Sequence, residues 1–207
     1  MYPVGRVGMK QNKVIGLTGG ISSGKSLVTA YLREKGYPVL DSDEIAKDLQ
    51  RDPMVLKGLN ELFPGSVKEG KLDRDQVGQL VFSNKEARAK LDAFMHPLVF
   101  SVLSRQVKEL SGLVFIDMPL MIETLKDQGD LSYDEIWLVW VPREIQISRL
   151  MKRDGISRDY AIRKIDAQLP LEEKKSYASL VIDNSQGPEE TLKQVEEELK
   201  RLCENTY

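Results

Sequence analysis

Gly19-Gly20-Ile21-Ser22-Ser23-Gly24-Lys25-Ser26 satisfies the pattern G-x-x-x-x-G-K-[ST] without a gap or a mismatch. Its chemistry is phosphate binding. Glycines let the backbone curl until successive N–H groups point at phosphate oxygens, and a following helix adds its positive end. Lys25 is then placed to reach the β- and γ-phosphates, and the Ser26 hydroxyl to ligate Mg²⁺. A Gly/Ser-rich turn that only joins a strand to a helix would explain the glycines, but not a Lys-Ser pair where the helix begins. The eight residues, with Leu27 after them, are the candidate nucleotide-binding set, and the expected ligand is a nucleoside triphosphate with Mg²⁺.

Three further groups could act on such a ligand. Asp41-Ser42-Asp43 offers a carboxylate that could accept or orient the proton of an acceptor hydroxyl. Aspartates before helices commonly act as N-caps, but capping needs only one of the two, which leaves Asp43 as the candidate base. Asp117 could ligate or position Mg²⁺, or serve as a strand-terminal turn residue; both readings stand at this point. Arg149, Lys152, Arg153, Arg158, Arg163 and Lys164 surround Asp154-Gly155. Arg149 and Arg153, four apart, share a helix face. Such a face is either simply solvated or a mobile cover that brings guanidinium groups onto a transferring phosphoryl group.

Positioning these residues requires strands that end beside them. Residues 13–18, 37–40, 113–117, 135–141 and 180–182 read as short apolar strands. Leu27, Val28, Tyr31 and Leu32 start a helix face after the loop, and Gly36 is placed to end it. A helix is expected over 44–49. Asp52-Pro53 opens another, with Val55, Leu56, Leu59 and Phe63 inward, until Pro64-Gly65 stops it. Helical patterns follow from Asp73 (Val77, Leu80, Val81), from Asn84 (Ala87, Leu91, Phe94) and from His96-Pro97 (Val99, Leu103, Val107). About seventy residues of almost purely helical pattern thus separate the second and third strands, far more than a usual α/β connection. Pro142 opens a helix and Ser157 caps the next, to about Gln168. Pro170 breaks it. The last helix, from Pro188, turns Leu192, Val195, Leu199 and Leu202 inward and sets Glu189 to Lys193, Glu196 to Lys200 and Glu197 to Arg201 as outer pairs. Trp137 and Trp140 belong to a core strand, and His96 is a polar residue at a helix start with no chemistry assigned. Strands apolar nearly throughout and alternating with helices indicate an α/β fold, a parallel sheet covered on both faces.

The composition sets limits. The chain has 207 residues, 41% hydrophobic and 30% charged, with a formal net charge of −2. That is an ordinary globular composition, with no electrostatic reason to expect nucleic acid or an anionic membrane as the main partner. Cys203 is the single cysteine and His96 the single histidine, which excludes an intrachain disulfide framework and a Cys-rich zinc site. The longest apolar run, residues 136–141, is far shorter than the roughly 20 residues of a membrane span. A cytoplasmic location is expected. Residues 1–12 read as a loose extension.

Taken together, these residues resemble the dephospho-coenzyme A kinases of the P-loop kinase superfamily, over nearly the whole chain. The likeness is carried by residues 16–26, Asp41-Ser42-Asp43 with Ile45-Ala46, His96-Pro97, Pro119-Leu120 before Glu123, the stretch from Arg149 to Asp154, and Ile182-Asp183-Asn184. It implies transfer of the ATP γ-phosphate to the ribose 3′-hydroxyl of dephospho-coenzyme A. It also implies a three-layer α/β/α P-loop kinase fold around a five-stranded parallel sheet. In that fold 13–43, 112–148 and 178–205 form the nucleotide-binding core, 44–111 a helical insertion that binds the acceptor, and 149–177 a helical lid. Asp43 matches the family's catalytic aspartate. Lys25, Arg149 and Arg153 are expected to act on the phosphoryl group, Asn184 to lie near adenine, and Ser26 and Asp117 to serve the metal. Ser22 stands where the family usually has Gly, Leu27 where Thr is common, and Ser42 where Ala separates the aspartates. If the backbone at Ser22 takes positive φ, its side chain strains the loop, and Ser is small enough to be tolerated. Another small-molecule or nucleoside monophosphate kinase would share the loop and lid. A guanine-nucleotide switch would need an Asn-Lys-x-Asp sequence, which is absent.

Overall fold

The structure is a computed structural model that describes residues 12–204. Of the expected loose extension, residues 1–11 lie outside the described residues. In chain order the elements are β1 (Lys13–Gly19), α1 (Lys25–Glu34), β2 (Val39–Asp41), α2 (Ser42–Leu49), α3 (Pro53–Leu62), β3 (Val67–Lys68), β4 (Lys71–Leu72), α4 (Arg74–Ser83) and α5 (Lys85–Glu109). Then come β5 (Leu113–Asp117), β6 (Glu135–Trp140), α6 (Arg143–Asp154), α7 (Arg158–Asp166), α8 (Leu171–Lys174), β7 (Leu180–Asp183) and α9 (Pro188–Glu204). The unassigned stretch after Pro119 contains a 3₁₀ turn, Ile122–Asp127. The chain divides into two compact units. Among the described residues, the first holds 12–40, 106–122 and 133–204; the second holds Asp41–Arg105 and Glu123–Ser132.

In the first unit a five-stranded parallel sheet has the order β2-β5-β1-β6-β7. β1 pairs in register with β5 (Ile15 opposite Phe115) and with β6 (Leu17 opposite Trp137), so the strand that delivers the phosphate loop is central. A central parallel strand is covered on both faces, which is why β1 is apolar nearly throughout. Ile15 and Leu17 join Phe115, Trp137, Val139 and Ile182 on one face, under Val28 and Leu32 of α1 and Val195, Leu199 and Leu202 of α9. Phe115 meets Trp137 edge to face at 5.4 Å between ring centroids. Leu138, Val141 and Leu171 form a second cluster. Gly16 has no side chain because Met121 and Tyr133 fill the space a Cβ would need. Ile147 and Leu150 of α6 pack on Ala161 and Ile165 of α7. Ser157 caps α7 as expected, its hydroxyl accepting from Tyr160 N–H.

The second unit is built on two apolar clusters. Val55, Leu59 and Met95 form one, with Leu91, Phe94 and Leu98 against it. Phe63, Val77 and Ala87 form the other. In this unit one sequence expectation needs an addition and one fails. The stretch is almost purely helical, as expected, with the addition that β3 and β4 pair as a two-stranded antiparallel hairpin. Its turn puts both Glu69 (φ 51°) and Gly70 (φ 72°) in the left-handed region, the geometry a two-residue hairpin turn needs. The failure is at His96-Pro97, which does not start a helix. Pro97 lies inside α5, a single helix of 25 residues. Proline removes one hydrogen bond and crowds the preceding turn, at about 3 kcal/mol. Leu91, Phe94, Met95 and Leu98 nevertheless pack into one cluster from both sides of it, and that burial keeps the helix continuous. His96 therefore sits mid-helix, its Nε2 3.8 Å from Asp92 Oδ1 and its ring 5.7 Å from that of Phe100.

Smaller differences have equally local causes. α1 is C-capped by Lys35, and Gly36 takes the left-handed position just beyond it (φ 83°). On α9, Thr191 is buried and Leu192 only half-buried. Arg201 pairs with Glu198 and with Glu135 of β6 rather than with Glu197, because a guanidinium fork gains more from two carboxylates than from one exposed i, i+4 partner. Trp137 is fully buried, but Trp140 is half-exposed and donates from Nε1 to Glu172.

Candidate active site

Residues 19–26 leave the carboxyl end of β1 and turn directly into α1. Gly24 is the residue before the helix, with φ 92°; a Cβ there would collide with the Asn184 amide. Ser22 has φ 57°, so the strain foreseen for a side chain at this position is present. Left-handed backbone costs a non-glycine residue roughly 1–2 kcal/mol.

The loop is held by side chains from elements later in the chain. Gly19 carbonyl accepts from Lys174 Nζ (3.1 Å), Ile21 carbonyl from Gln146 Nε2 (2.8 Å), and Ser23 carbonyl from Asn184 Nδ2 (2.8 Å). In a planar trans peptide the C=O and the next residue's N–H point in opposite directions. With those three carbonyls drawn outward, the N–H groups of Gly20, Ser22 and Gly24 turn away from the braces. Turned that way, those three N–H groups are placed to meet an anion such as phosphate. Two N–H groups of the loop are used within the protein: Ile21 N–H donates to Gln168 Oε1 at 2.8 Å and Ser23 N–H to Gly20 carbonyl at 3.0 Å.

Lys25, in the first turn of α1, donates to Asp117 Oδ1. Asp117 closes β5, is only 3% exposed, and also accepts from Thr29 Oγ1 at 2.5 Å. A turn residue would direct its carboxylate at nearby backbone N–H groups, whereas Asp117 faces α1. Ser26 is exposed at the start of the same helix, and Leu27 N–H bonds back to Gly24 carbonyl at 3.0 Å.

Arg149 and Arg153 share α6 but not their surroundings. Arg149 donates to Asn184 carbonyl at 2.9 Å, and its Nη1 lies 3.7 Å from where a Cβ on Gly24 would be. Arg153 is exposed and engages Asp154 at 2.7 Å, which Lys164 of α7 also reaches at 2.8 Å. These two bonds hold the Asp154 carboxyl well below the usual carboxylate range. Asn184 is 4% exposed, and its amide is engaged at both ends, donating to Ser23 carbonyl and accepting from Thr191 Oγ1 at 2.7 Å. The first unit therefore gathers Lys25, Asp117, Arg149 and Asn184 around the loop, and leaves Arg153 turned to its neighbour.

Asp43 belongs to the second unit. It is exposed in the first turn of α2, directly after β2. The cap of that helix is Asp41, whose Oδ1 accepts from the N–H of Asp43 (2.9 Å) and of Glu44 (3.1 Å). Capping is thus accounted for without the Asp43 carboxylate.

Gln146, Gln168, Lys174 and Thr29 escaped the sequence reading. Three of them sit on helices where a polar side chain ordinarily faces water, and no spacing marks them. Only Lys174 carried a retrospective signal: it is fully buried, and a lysine is almost never so unless it serves a defined partner.

The sequence profile of the family described as dephospho-CoA kinase matches residues 13–190. The dephospho-CoA kinase of Carboxydothermus hydrogenoformans is 42% identical over 189 residues, which cover 88% of this chain and 90% of that one. Among solved structures, a protein from Thermus thermophilus superposes with a TM-score of 0.79 at 37% identity, covering 93% of this chain and 99% of its own. The dephospho-CoA kinase of Campylobacter jejuni superposes with a TM-score of 0.58 at 28% identity, covering 90% and 97%. A profile match along nearly the whole length, together with this identity and a sheet whose central strand feeds a braced phosphate loop, makes the chain a member of the dephospho-CoA kinase family.

Proposed function

We propose that the protein transfers the γ-phosphate of ATP to the ribose 3′-hydroxyl of dephospho-coenzyme A, giving coenzyme A and ADP, the last step of coenzyme A synthesis. The observation that carries the reading is the phosphate loop, braced from behind with Lys25 at its helix end, in a chain of this family. Phosphoryl transfer needs little covalent chemistry from a protein; positioning and charge do most of it. The loop N–H groups and Lys25 hold the β- and γ-phosphates. Arg149, beside Gly24, is suited to charge that builds on the phosphoryl oxygens, and Arg153 to the same task once it leaves Asp154. Asp43 holds the 3′-hydroxyl and takes its proton. Residues 44–111 bind the long acceptor, 149–177 act as the lid with its end, 168–174, anchored on the loop, and Asn184 lies near the adenine end.

The donors near the loop fit Mg²⁺. Ser26 offers a hydroxyl and Asp117 a buried carboxylate, both hard oxygen ligands. Among the described residues no cluster of three His, Cys, Asp or Glu side chains is gathered that could cage a metal. Mg²⁺ suits such a site because it takes one or two protein ligands and keeps waters and substrate phosphates. When bound, the ion neutralises phosphate charge. The task of this chain is to let Lys25 exchange Asp117 for phosphate, which frees the carboxylate to face the metal.

The test is ATP turnover with purified protein and Mg²⁺, with and without dephospho-coenzyme A. Coenzyme A is the expected product, with kcat/KM at least about a hundredfold above that for AMP, CMP or adenosine, a gap of roughly 2.7 kcal/mol. A folded protein that phosphorylates a nucleoside monophosphate and leaves dephospho-coenzyme A untouched defeats the acceptor assignment.

A further inference from the structure

Three consecutive loop residues each meet one residue of a single short segment, in reverse order and at three-residue spacing. Gly19 carbonyl accepts from Lys174 Nζ at 3.1 Å. Gly20 lies against Leu171, whose Cδ2 would be 3.3 Å from a Cβ at that position. Ile21 N–H donates to Gln168 Oε1 at 2.8 Å. The segment, residues 168–174, follows α7 and ends with α8. Lys174 also donates to Pro119 carbonyl at 3.2 Å, and that carbonyl accepts from Thr18 Oγ1 at 3.1 Å as well. One ammonium thus ties the start of the phosphate loop to the chain two residues beyond Asp117, the partner of Lys25.

We propose that residues 168–174 position the start of the phosphate loop, Gly19 to Ile21, with Gln168 and Lys174 as the two polar anchors. Each anchor fixes the rotation of one peptide plane, Gly19-Gly20 through its carbonyl and Gly20-Ile21 through its N–H. Because C=O and N–H oppose each other across a planar peptide, these contacts send the Gly20 N–H away from the segment and its carbonyl to the opposite side. There that carbonyl accepts from Ser23 N–H at 3.0 Å. Glycine at 19 and 20 cannot hold this arrangement alone, since its backbone is the least restricted of any residue. The segment supplies the restriction. Gln168 and Lys174 touch no reacting atom in this account; they act through the loop.

The inference rests on the loop being the nucleotide site, and its test separates that from the choice of acceptor. ATP affinity is measured by titration without an acceptor, for wild type and for Gln168→Met, which keeps the side chain's size and removes the acceptor oxygen. Dephospho-coenzyme A affinity and the thermal midpoint are measured on the same preparations. The expected result is ATP binding weakened about tenfold, dephospho-coenzyme A binding within twofold of wild type, and a midpoint little changed. Lys174→Met should give the same inequality; if burial makes that variant unfold, Gln168→Met carries the test by itself. ATP affinity within twofold of wild type in folded Gln168→Met overturns the proposal. So does a loss shared equally by both ligands together with a lowered midpoint, which is what a purely structural role gives. If wild type binds ATP but turns over no dephospho-coenzyme A, the acceptor reading falls and the ATP comparison still decides this one.

Discussion

Asp43 and Ser22 show how single residues divide stability from chemistry. Asp41 caps α2, so Asp43→Asn leaves the cap in place and gives up the attraction of one carboxylate to the helix N-terminus, about 0.3–1 kcal/mol. A positioned proton acceptor contributes far more to rate, and turnover is expected to fall by a factor on the order of 10² to 10⁴ with ATP binding kept. Asp41→Ala is the control, expected to cost about 1 kcal/mol of stability. Should Asp43→Asn be destabilised like Asp41→Ala and turn over normally per folded molecule, the base assignment fails. Ser22 runs the other way. Its φ of 57° is strained, and its hydroxyl is buried without a hydrogen-bond partner among the described residues. Ser22→Gly relieves roughly 1–2 kcal/mol of backbone strain and gives back about 0.4–1 kcal/mol through the freer unfolded chain. A net gain of about 0.5–1 kcal/mol is expected in chemical denaturation; a loss would mean that the loop holds Ser22 without strain.

At the scale of elements, β6 begins with an acid-sensitive tie. Glu135 is engaged by Lys13 of β1 at 2.9 Å, Arg201 of α9 at 2.8 Å and Trp137 Nε1 at 3.1 Å. Burial alone would push its carboxyl up from 4.5, but these donors more than offset that and hold it at about 2. A carboxylate with a depressed pKa in the fold stabilises in full above its unfolded value and loses that contribution as pH falls through the folded one. The window here therefore runs from about pH 4.5 down to about 2. Compared with Glu135→Gln, wild type should be the more stable at neutral pH, with the difference shrinking below about pH 4.5 and gone near pH 2. A difference independent of pH across that range would mean the tie is not ionic. α5 carries the companion lesson that Pro97, a boundary signal in sequence, is overridden when apolar residues on both sides of it enter one cluster.

At the scale of the whole molecule, ligand and fold are linked. ATP at a hundred times its dissociation constant should stabilise the folded chain by about 2.7 kcal/mol, roughly 5–10 °C in midpoint for a protein of this size. Lys25→Ala should fold and lose most of that shift, together with turnover; an undiminished shift would remove Lys25 from the site. Much of this was legible in the chain itself. Eight residues with a strict pattern identified the phosphate loop, because few sequences other than a phosphate cradle need glycines and a Lys-Ser pair at that spacing. Apolar strands alternating with helices identified a parallel sheet, since only strands buried on both faces are apolar throughout. Local signals also placed Asp52, Asp73 and Ser157 at helix starts, where each side chain caps its helix. What the sequence could not determine was everything set by distant partners. No sequence pattern marks Gln146, Gln168 or Lys174; the fold alone brings them to Ile21 and Gly19, 125, 147 and 155 positions away in the chain. Arg149 and Arg153 were equivalent by spacing and were told apart only by what stands beside each. Periodicity encodes which side of an element is buried; it holds no record of which residue from another element will fill the space opposite, and the braces of the phosphate loop are of that kind.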